Sequence, residues 1–333
     1  MHVIHGIDFV PAFARGAVLA IGNFDGVHRG HQALIQTALD TAGALGRPSG
    51  VMVFEPHPRA YFAPAEPHFP LTPLPEKLRV LDSLGLKIAV VLPFDGALAA
   101  LPADRFIDDI LVRGLGVSHV VIGYDFFFGS KRGGNPATMV AAGARDGFGV
   151  SVIEPVAEGG EVFSSSEIRL KLARGDVQGA AQAMGRNWHV NGRVIGGAKR
   201  GTGMGYPTAN VPMPPGTALG HGIYAVRAIV DDVAHDASDA RLRPVASDAR
   251  LRPVASDARL RHDAVAYLGT RPTFDDGSPV LEVFLLDFDG DLYGRDITVE
   301  FVAFVRPDRK FSGADELVRQ MDKDVAAARA VLG

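Results

Sequence analysis

Gly22-Asn23-Phe24-Asp25-Gly26-Val27-His28-Arg29-Gly30-His31 joins an apolar run at 17–21 to a segment with apolar residues at 34, 35, 38 and 39. The apolar run is typical of a buried strand, and the spacing of the later residues is that of a helix packed on a sheet. The residues between them therefore form a strand-to-helix turn. Such a turn has free backbone N–H groups and the positive end of a helix dipole, so it favours an anion.

The glycines and histidines of this turn point to a nucleotide phosphate. Gly22 and Gly30 would let a phosphate approach the backbone. His28 and His31 can donate hydrogen bonds to a phosphoryl oxygen whose charge grows in the transition state. The pattern resembles the His-x-x-His turn of adenylyltransferases. The alternative is an ordinary glycine-rich turn with a structural histidine, since motifs of this kind give false positives.

Length and composition limit the classes of protein to be considered. The 333 residues predict two domains, and 47% hydrophobic with 22% charged residues is a globular composition. A net charge of -4 predicts no nucleic-acid partner. The absence of cysteine excludes disulfides and thiolate chemistry and fits the cytoplasm. Neither a signal-peptide layout nor an apolar run of about 18 residues occurs, so no membrane association is expected. The oligomeric state is left open.

The first half of the chain alternates solidly apolar runs with helical patterns. The runs lie at 17–21, 50–54, 87–92, 118–122 and 149–153, and the helical patterns lie near 31–45, 75–84, 103–115 and 136–147. This alternation predicts an α/β domain with a parallel sheet covered on both faces. Ligands of such sheets bind at the carboxyl ends of the strands, so the segments that follow the strands should hold the site.

Three of those segments carry further candidates. In 123–134, Asp125 could hold a ribose or a metal-bound phosphate, and Phe126 and Phe128 could stack on a flat ring or simply pack in the core. His57, after the second strand, could line the site or be an ordinary loop histidine.

The third segment contains Ser164, Ser165 and Arg169. These residues could cap a helix or cradle a phosphate, and the two interpretations are compatible because a helix N-terminus is such a cradle.

The second half changes character after helical residues at 170–186. Short strand-like segments follow at 188–195, 222–230, 264–269, 280–286 and 297–305, with a terminal helix near 313–331. Strands joined by turns predict a small antiparallel barrel with a C-terminal helix.

A glycine-rich loop precedes the sharpest motif of this half. Lys199, Arg200 and Gly201 belong to a basic loop that could fold over a polyphosphate or lie on the surface. Thr208 and Asn210 are two residues apart, so in an extended chain they point to the same side and can share one Mg²⁺.

Glu282 lies in an otherwise apolar strand, where a carboxylate needs a partner or a purpose. The alternative is an edge carboxylate that faces solvent.

The motifs at 22–31, 54–58, 123–134 and 164–169 come in the order and spacing of the bacterial bifunctional riboflavin kinase/FAD synthetase family, and the resemblance covers nearly the whole chain. It implies a nucleotidyltransferase-like, Rossmann-like domain at 1–186 that transfers AMP from ATP to FMN. It implies a riboflavin kinase domain at 187–333 that phosphorylates riboflavin with ATP and Mg²⁺. FMN and FAD are then product ligands.

The resemblance also implies roles for individual residues. The catalytic residues would be Glu282 as the base of the kinase, with His28, His31 and Arg169 in the adenylyltransferase. ATP or phosphate contacts fall on Gly22, Asn23, Asp25, Gly30, Asp125, Ser164, Ser165, Lys199, Arg200, Gly201, Thr208 and Asn210, the last two also holding the metal. Flavin contacts fall on Phe54, Phe126, Phe128 and Arg306.

One segment has no functional interpretation. Residues 237–245 repeat at 246–254 and again, nearly, at 255–261. We interpret 237–262 as a duplicated surface insertion, which is tolerable because doubling a loop costs only ~0.6 kcal/mol of closure entropy.

Two alternatives to the bifunctional enzyme remain at this stage. One is an enzyme with a single live site, and the other is a flavin-binding regulator without turnover.

Overall fold

A computed structural model describes residues 1–66, 68–196, 206–214, 216–230, 260–269 and 280–333. The described residues form two compact units, 1–165 and those from 166 onward. Each unit is presented by itself.

The first unit is built on a six-stranded, all-parallel sheet with the strand order β1-β4-β3-β2-β5-β6. The predicted parallel sheet is therefore confirmed. The strands are β1 (His2–His5), β2 (Val18–Ile21), β3 (Ser49–Glu55), β4 (Ile88–Pro93), β5 (His119–Gly123) and β6 (Gly149–Ile153). The edge strand β1 was not part of the predicted set.

Helices cover both faces of this sheet. They are α1 (Arg29–Leu45), α2 (Pro58–Phe62), α3 (Leu74–Ser83), α4 (Gly96–Ala100), α5 (Ala103–Arg105), which continues as a π-helix (Phe106–Leu115), and α6 (Pro136–Asp146). Alternate residues of β2 enter different clusters. Leu19 packs with Ile107 and Met139 on one face, and Val18 packs with Ile35 and Leu78 on the other. This two-sided burial explains why the strands are solidly apolar.

The strand order places the crevice of the sheet between β2 and β5. The chain moves from β2 toward one edge through β3 and β4, and later returns to pair β5 with the other side of β2. In doubly wound sheets a ligand binds outside the carboxyl ends of the strands at such a reversal. The turn after β2 and the loop after β5 flank this position. A short hairpin of β7 (Ala157–Glu158) and β8 (Glu161–Val162) follows β6.

The second unit is a nearly closed antiparallel barrel with the strand order β10-β13-β12-β11-β14-β9. Its strands are β9 (His189–Arg193), β10 (Ala209–Pro212), β11 (Gly222–Val230), β12 (Leu260–Gly269), β13 (Val280–Leu285) and β14 (Asp296–Pro307), and its helices are α8 (Val177–Met184) and α9 (Ala314–Leu332). The first and last strands approach where the Ile195 amide donates to the Asn210 carbonyl at 2.9 Å. The predicted barrel with a C-terminal helix is confirmed. A further helix, α7 (Ser165–Ala173), begins at the end of the first unit.

The repeat insertion is shorter at one end than predicted. Residues 260–262 belong to β12, where Leu260 pairs with Val230 and Arg261 with Ile229. Residues 231–259 lie outside the described part of the chain. The repeats thus lie within the connection between two neighbouring antiparallel strands.

Across the ranges given above, no helix is both long and apolar enough to cross a membrane.

Candidate functional site

The two histidines of the first motif lie together at the N-terminus of α1. His28 precedes the helix, and its Nδ1 accepts a hydrogen bond from the His31 backbone N–H at 3.4 Å. The two imidazole rings stack with their centroids 3.7 Å apart. A Cβ on Gly30 would lie 3.1 Å from the His28 ring and 3.3 Å from the Phe163 carbonyl, so glycine makes this packing possible. Two imidazoles therefore lie side by side at the positive end of a helix dipole.

The turn before them has an unusual backbone. Phe24 and Val27 have φ angles of 48° and 41°, a region that β-branched and bulky residues seldom adopt. Both side chains are fully buried, and this burial holds the strained conformation in place. Strain of this kind is common at functional sites. Asn23, just before Phe24, has a buried Oδ1 that accepts no hydrogen bond within the described ranges.

Asp25 joins this turn to two neighbouring segments. Its side chain is 2% exposed, and Oδ1 accepts a hydrogen bond from the Thr72 backbone N–H at 3.2 Å. Its backbone carbonyl accepts one from the Ser165 hydroxyl at 2.8 Å. The structure thus uses the carboxylate of Asp25 as an internal acceptor, and its predicted phosphate contact stays a prediction.

The serine motif begins α7. Ser164 precedes the helix and Ser165 is its first residue, so the hydroxyl bond to Asp25 ties the start of α7 to the first motif. Arg169 lies four residues further along α7, on the same side of the helix as Ser165. This arrangement is compatible with the serines acting as a helix cap and as a phosphate cradle, the two functions predicted for them.

Arg29, between the two histidines, points to the hairpin. Its guanidinium pairs with Glu158 at 2.5 Å and lies 5.7 Å from the centre of the Phe163 ring.

The predicted flavin contacts of the first unit are less open than the sequence suggested. Phe54 and Phe128 are 8% and 7% exposed and belong to the hydrophobic core. Phe126 is half-buried and stacks on Phe128 at 5.5 Å, whereas Asp125 in the same loop is exposed. His57 caps α2 by accepting the Arg59 backbone N–H at 3.1 Å. Flavin contact by these aromatic residues stays a prediction.

Sequence reasoning missed two charged residues that interact with Asp25 of the first motif. Glu55 ends β3, and Lys77 on α3 is 3% exposed. Burial lowers the pKa of Lys77, while nearby Asp25 and Glu55 act in the opposite direction. Burial also raises the pKa of Glu55, which Lys77 partly offsets. A signal existed for Lys77, because it lies four residues before Leu81 on the apolar face of the predicted helix.

The second unit brings three predicted residues together. Asn210 and Glu282 are partners in the pairing of β10 with β13. The Thr208 hydroxyl donates to Oε2 of Glu282 at 3.5 Å. Asn210 is 5% exposed, so the amide lies inside the barrel wall. A hydroxyl, an amide oxygen and a carboxylate are hard oxygen donors, which suit Mg²⁺. Lys199, Arg200 and Gly201 lie outside the described residues.

The segment before Thr208 is held by α9. The Tyr206 hydroxyl donates to Asp322, and its ring meets Phe284 edge-on at 5.0 Å. The hydrogen bond to Asp322 is the main cause that raises the pKa of Tyr206 to about 12.

Arg306 makes a paired contact with α9. Its Nε and Nη2 donate to the two carboxylate oxygens of Asp324 at 2.8 and 2.6 Å. The Asp324 side chain is 4% exposed. The structure therefore shows Arg306 holding the C-terminal helix, and its predicted flavin contact stays a prediction.

Wherever the structure describes side chains, no group of three or more His, Asp or Glu residues could hold a metal by itself.

A parallel α/β unit with a histidine pair at a helix N-terminus, followed by a barrel with a Thr-Asn-Glu cluster, defines a class of two-site, nucleotide-dependent transferases. Family models agree with this division. The FAD synthetase model matches residues 10–167, and the riboflavin kinase model matches residues 184–332. The predicted boundary after residue 186 stays a prediction.

Three curated relatives are similar along nearly their whole length. Bifunctional riboflavin kinase/FMN adenylyltransferases from Pseudomonas fluorescens and Escherichia coli K12 are each 36% identical, covering 99% of this chain and 98% and 96% of theirs. The Bacillus subtilis protein of the same name is 34% identical over 97% of this chain and 95% of its own. The chain belongs to the bifunctional riboflavin kinase/FMN adenylyltransferase family.

Among solved structures is one of similar fold. It is described as a macrolide-efflux protein from Streptococcus pneumoniae, superposes with a TM-score of 0.81 at 25% identity, and the match covers 99% of both chains.

Proposed function

We propose that the Thr208–Asn210–Glu282 cluster phosphorylates riboflavin and that the turn bearing His28 and His31 adenylylates FMN. The chain has the two activities of its family, riboflavin kinase and FMN adenylyltransferase, and ATP is the co-substrate of both. The observation that carries the assignment of residues is the pairing of Asn210 with Glu282 across β10 and β13.

In the barrel, Glu282 is the general base. It takes the proton of the riboflavin 5′-hydroxyl, whose oxygen then attacks the γ-phosphorus of ATP while the bond to the β-phosphate oxygen breaks, giving FMN and ADP. The Thr208 hydroxyl, 3.5 Å from Oε2, orients the carboxylate. Thr208 and Asn210 would hold Mg²⁺, which neutralises phosphate charge in such transfers.

In the first unit, an oxygen of the FMN phosphate attacks the α-phosphorus of a second ATP. The new bond forms as the bond between the α-phosphorus and the bridging oxygen breaks, so pyrophosphate leaves and FAD forms without a covalent enzyme intermediate. His28 and His31 donate to the phosphates, where developing charge is stabilised by preorganised donors. Ser164, Ser165 and Arg169 hold the phosphates from the start of α7.

Product analysis tests this proposal. Purified protein is incubated with riboflavin, ATP and Mg²⁺, and the flavins are separated by chromatography. We expect FMN first and FAD later. FMN alone, or FAD formed only from supplied FMN, would indicate one live site, and binding without any product would indicate a regulator.

Two reciprocal variants assign the sites. Glu282→Gln should abolish FMN formation but leave FAD formation from supplied FMN. His28→Ala combined with His31→Ala should do the reverse. If either variant lost both activities, the division of labour between the two units would be wrong.

A further inference from the structure

Three charged residues, one of them in the first motif, interact with one another, and two of them are buried. Asp25 and Lys77 are 2% and 3% exposed, and Glu55 at the end of β3 is half-buried. Lys77 interacts electrostatically with both carboxylates, each of which favours its charged form. A buried charge is tolerated only where opposite charges or hydrogen bonds compensate it. The side chains therefore form a cluster of two acids and one base, in which Asp25 and Lys77 are buried and Glu55 is half-buried.

This cluster supports the turn that carries the histidines. Asp25 lies three residues before His28, and its side-chain and backbone oxygens hold Thr72 and the serine at the start of α7. The same turn contains two buried residues with positive φ angles. The conformation of the turn is thus held by the burial of Phe24 and Val27 together with the hydrogen bonds to Asp25. If the charge of Asp25 were left uncompensated, its carboxylate would shift, and the contacts that fix the positions of both imidazoles would loosen.

Lys77 is 3% exposed and its charge interacts with Asp25, so it is placed to act on the turn through Asp25. We propose that Lys77 is a positioning residue for adenylyl transfer: its ammonium group balances the Asp25 and Glu55 carboxylates and so holds the His28/His31 turn in its reactive geometry. This inference rests on the proposed adenylyl transfer at that turn. It gives a functional reason for a lysine on the core-facing side of α3.

Lys77→Met removes the charge and keeps most of the side-chain volume. Because a misplacement of about 1 Å can cost about a hundredfold in rate, we expect kcat/KM for FAD formation to fall about a hundredfold. The KM for ATP should rise while the KM for FMN changes little, since the turn holds ATP phosphates. If Lys77→Met only reduced the fraction of folded enzyme, the apparent kcat would fall but the KM for ATP would not change. Lys87→Met, an exposed lysine of the same unit, is the matched control and should not change either constant.

The double variant Asp25→Asn/Lys77→Met provides the decisive comparison. The amide keeps an acceptor for the Thr72 N–H and removes the charge that Lys77 balances. We expect roughly tenfold recovery of FAD formation relative to Lys77→Met, because the buried pair is removed as a unit. If the lysine variant does not fold, the double variant alone still tests the inference, since it should fold and stay within about tenfold of the wild type.

Four results would overturn the inference: wild-type activity in Lys77→Met, no recovery in the double variant, an inactive double variant, or an unchanged KM for ATP. A separate result would show that the proposed adenylyl transfer at the His28/His31 turn is wrong. The variant with His28→Ala and His31→Ala would then retain FAD formation, whatever the lysine variants do. Riboflavin phosphorylation by the same chain, measured in parallel, reports that each variant retains a folded second unit.

Discussion

Replacing Arg306 by methionine should destabilise the barrel unit far more than replacing a neighbouring exposed arginine. The guanidinium of Arg306 donates two hydrogen bonds to Asp324 on α9, at 2.8 and 2.6 Å. The two side chains are only 17% and 4% exposed. Arg306→Met would keep the apolar stem but leave the Asp324 carboxylate buried, and among the described residues its remaining side-chain donor is the Gln320 amide at 2.8 Å.

The expected magnitude follows from this burial. Removing one partner of a buried ion pair costs about 3 to 5 kcal/mol, and the bond from Gln320 puts the expectation near the lower value, about 3 kcal/mol. The matched control is Arg309→Met. Arg309 pairs with Glu316 on the same helix, but the side chains are 44% and 35% exposed, so its loss should cost about 0 to 1 kcal/mol.

The assay can observe the second unit alone. The chain has one tryptophan, and Trp188 is buried in the barrel against Phe301, with ring centroids 5.1 Å apart. Its fluorescence during urea unfolding of flavin-free protein therefore reports the barrel unit. A loss of about 3 kcal/mol should lower the midpoint by about 1 M or more.

The reasoning would be refuted if Arg306→Met shifted the midpoint no more than Arg309→Met. Asp324→Asn separates the role of the Arg306–Asp324 ion pair from the predicted flavin contact of Arg306. If Arg306 acts only through this ion pair, Arg306→Met and Asp324→Asn should lose similar stability and have similar KM values for riboflavin. A raised KM in Arg306→Met only would establish that the arginine also contacts the flavin.

The remaining predictions concern the kinase site and the insertion. Tyr206→Phe removes the hydrogen bond to Asp322 that holds the segment before Thr208. The KM for ATP in FMN formation should therefore rise a few-fold, while FAD formation from supplied FMN stays unchanged. Equal effects on FMN formation and on FAD formation would contradict this prediction. Deleting residues 246–254 should leave both rates within a few-fold, because the paired ends of β11 and β12 are untouched, and a collapse of either rate would show that the insertion has a role. Removing Mg²⁺ with excess EDTA should lower FMN formation by at least about a hundredfold, reversibly; FMN formation that persists in EDTA would rule out the metal proposed at Thr208 and Asn210.

The framework of the fold was predictable because its signals are local. The solid apolar runs of β2–β6 and the helical spacing of α1, α3 and α6 predicted the parallel sheet without knowledge of any contact. The four-residue strands at the edges were not predictable in the same way. β1 precedes any recognisable pattern, and β10 lies between Pro207 and the Pro212 that ends it, so its sequence is typical of a loop.

The candidate sites could not be predicted from the spacing of residues in the sequence alone. Thr208 and Glu282 are 74 positions apart, and only the register of β10 against β13 brings them together. Their roles came from the family resemblance. Sequence can also suggest a ligand contact where the structure shows core packing. An aromatic residue such as Phe128 has the same sequence signature whether it stacks on a ligand or fills the core. A lysine such as Lys77 is normally expected at the surface, and this expectation outweighs its helical spacing from Leu81 until tertiary packing shows the side chain to be buried.

The position of the tandem repeats has a consequence for how this gene can vary. Val230 and Leu260 face each other as the last and first paired residues of adjacent strands, so the chain leaves and rejoins the barrel at one point. Gain or loss of a nine-residue unit would therefore not shift the register of either strand. Copy-number change at this site should be close to neutral in evolution, and the same position offers a place to introduce an affinity tag or fluorophore within the polypeptide.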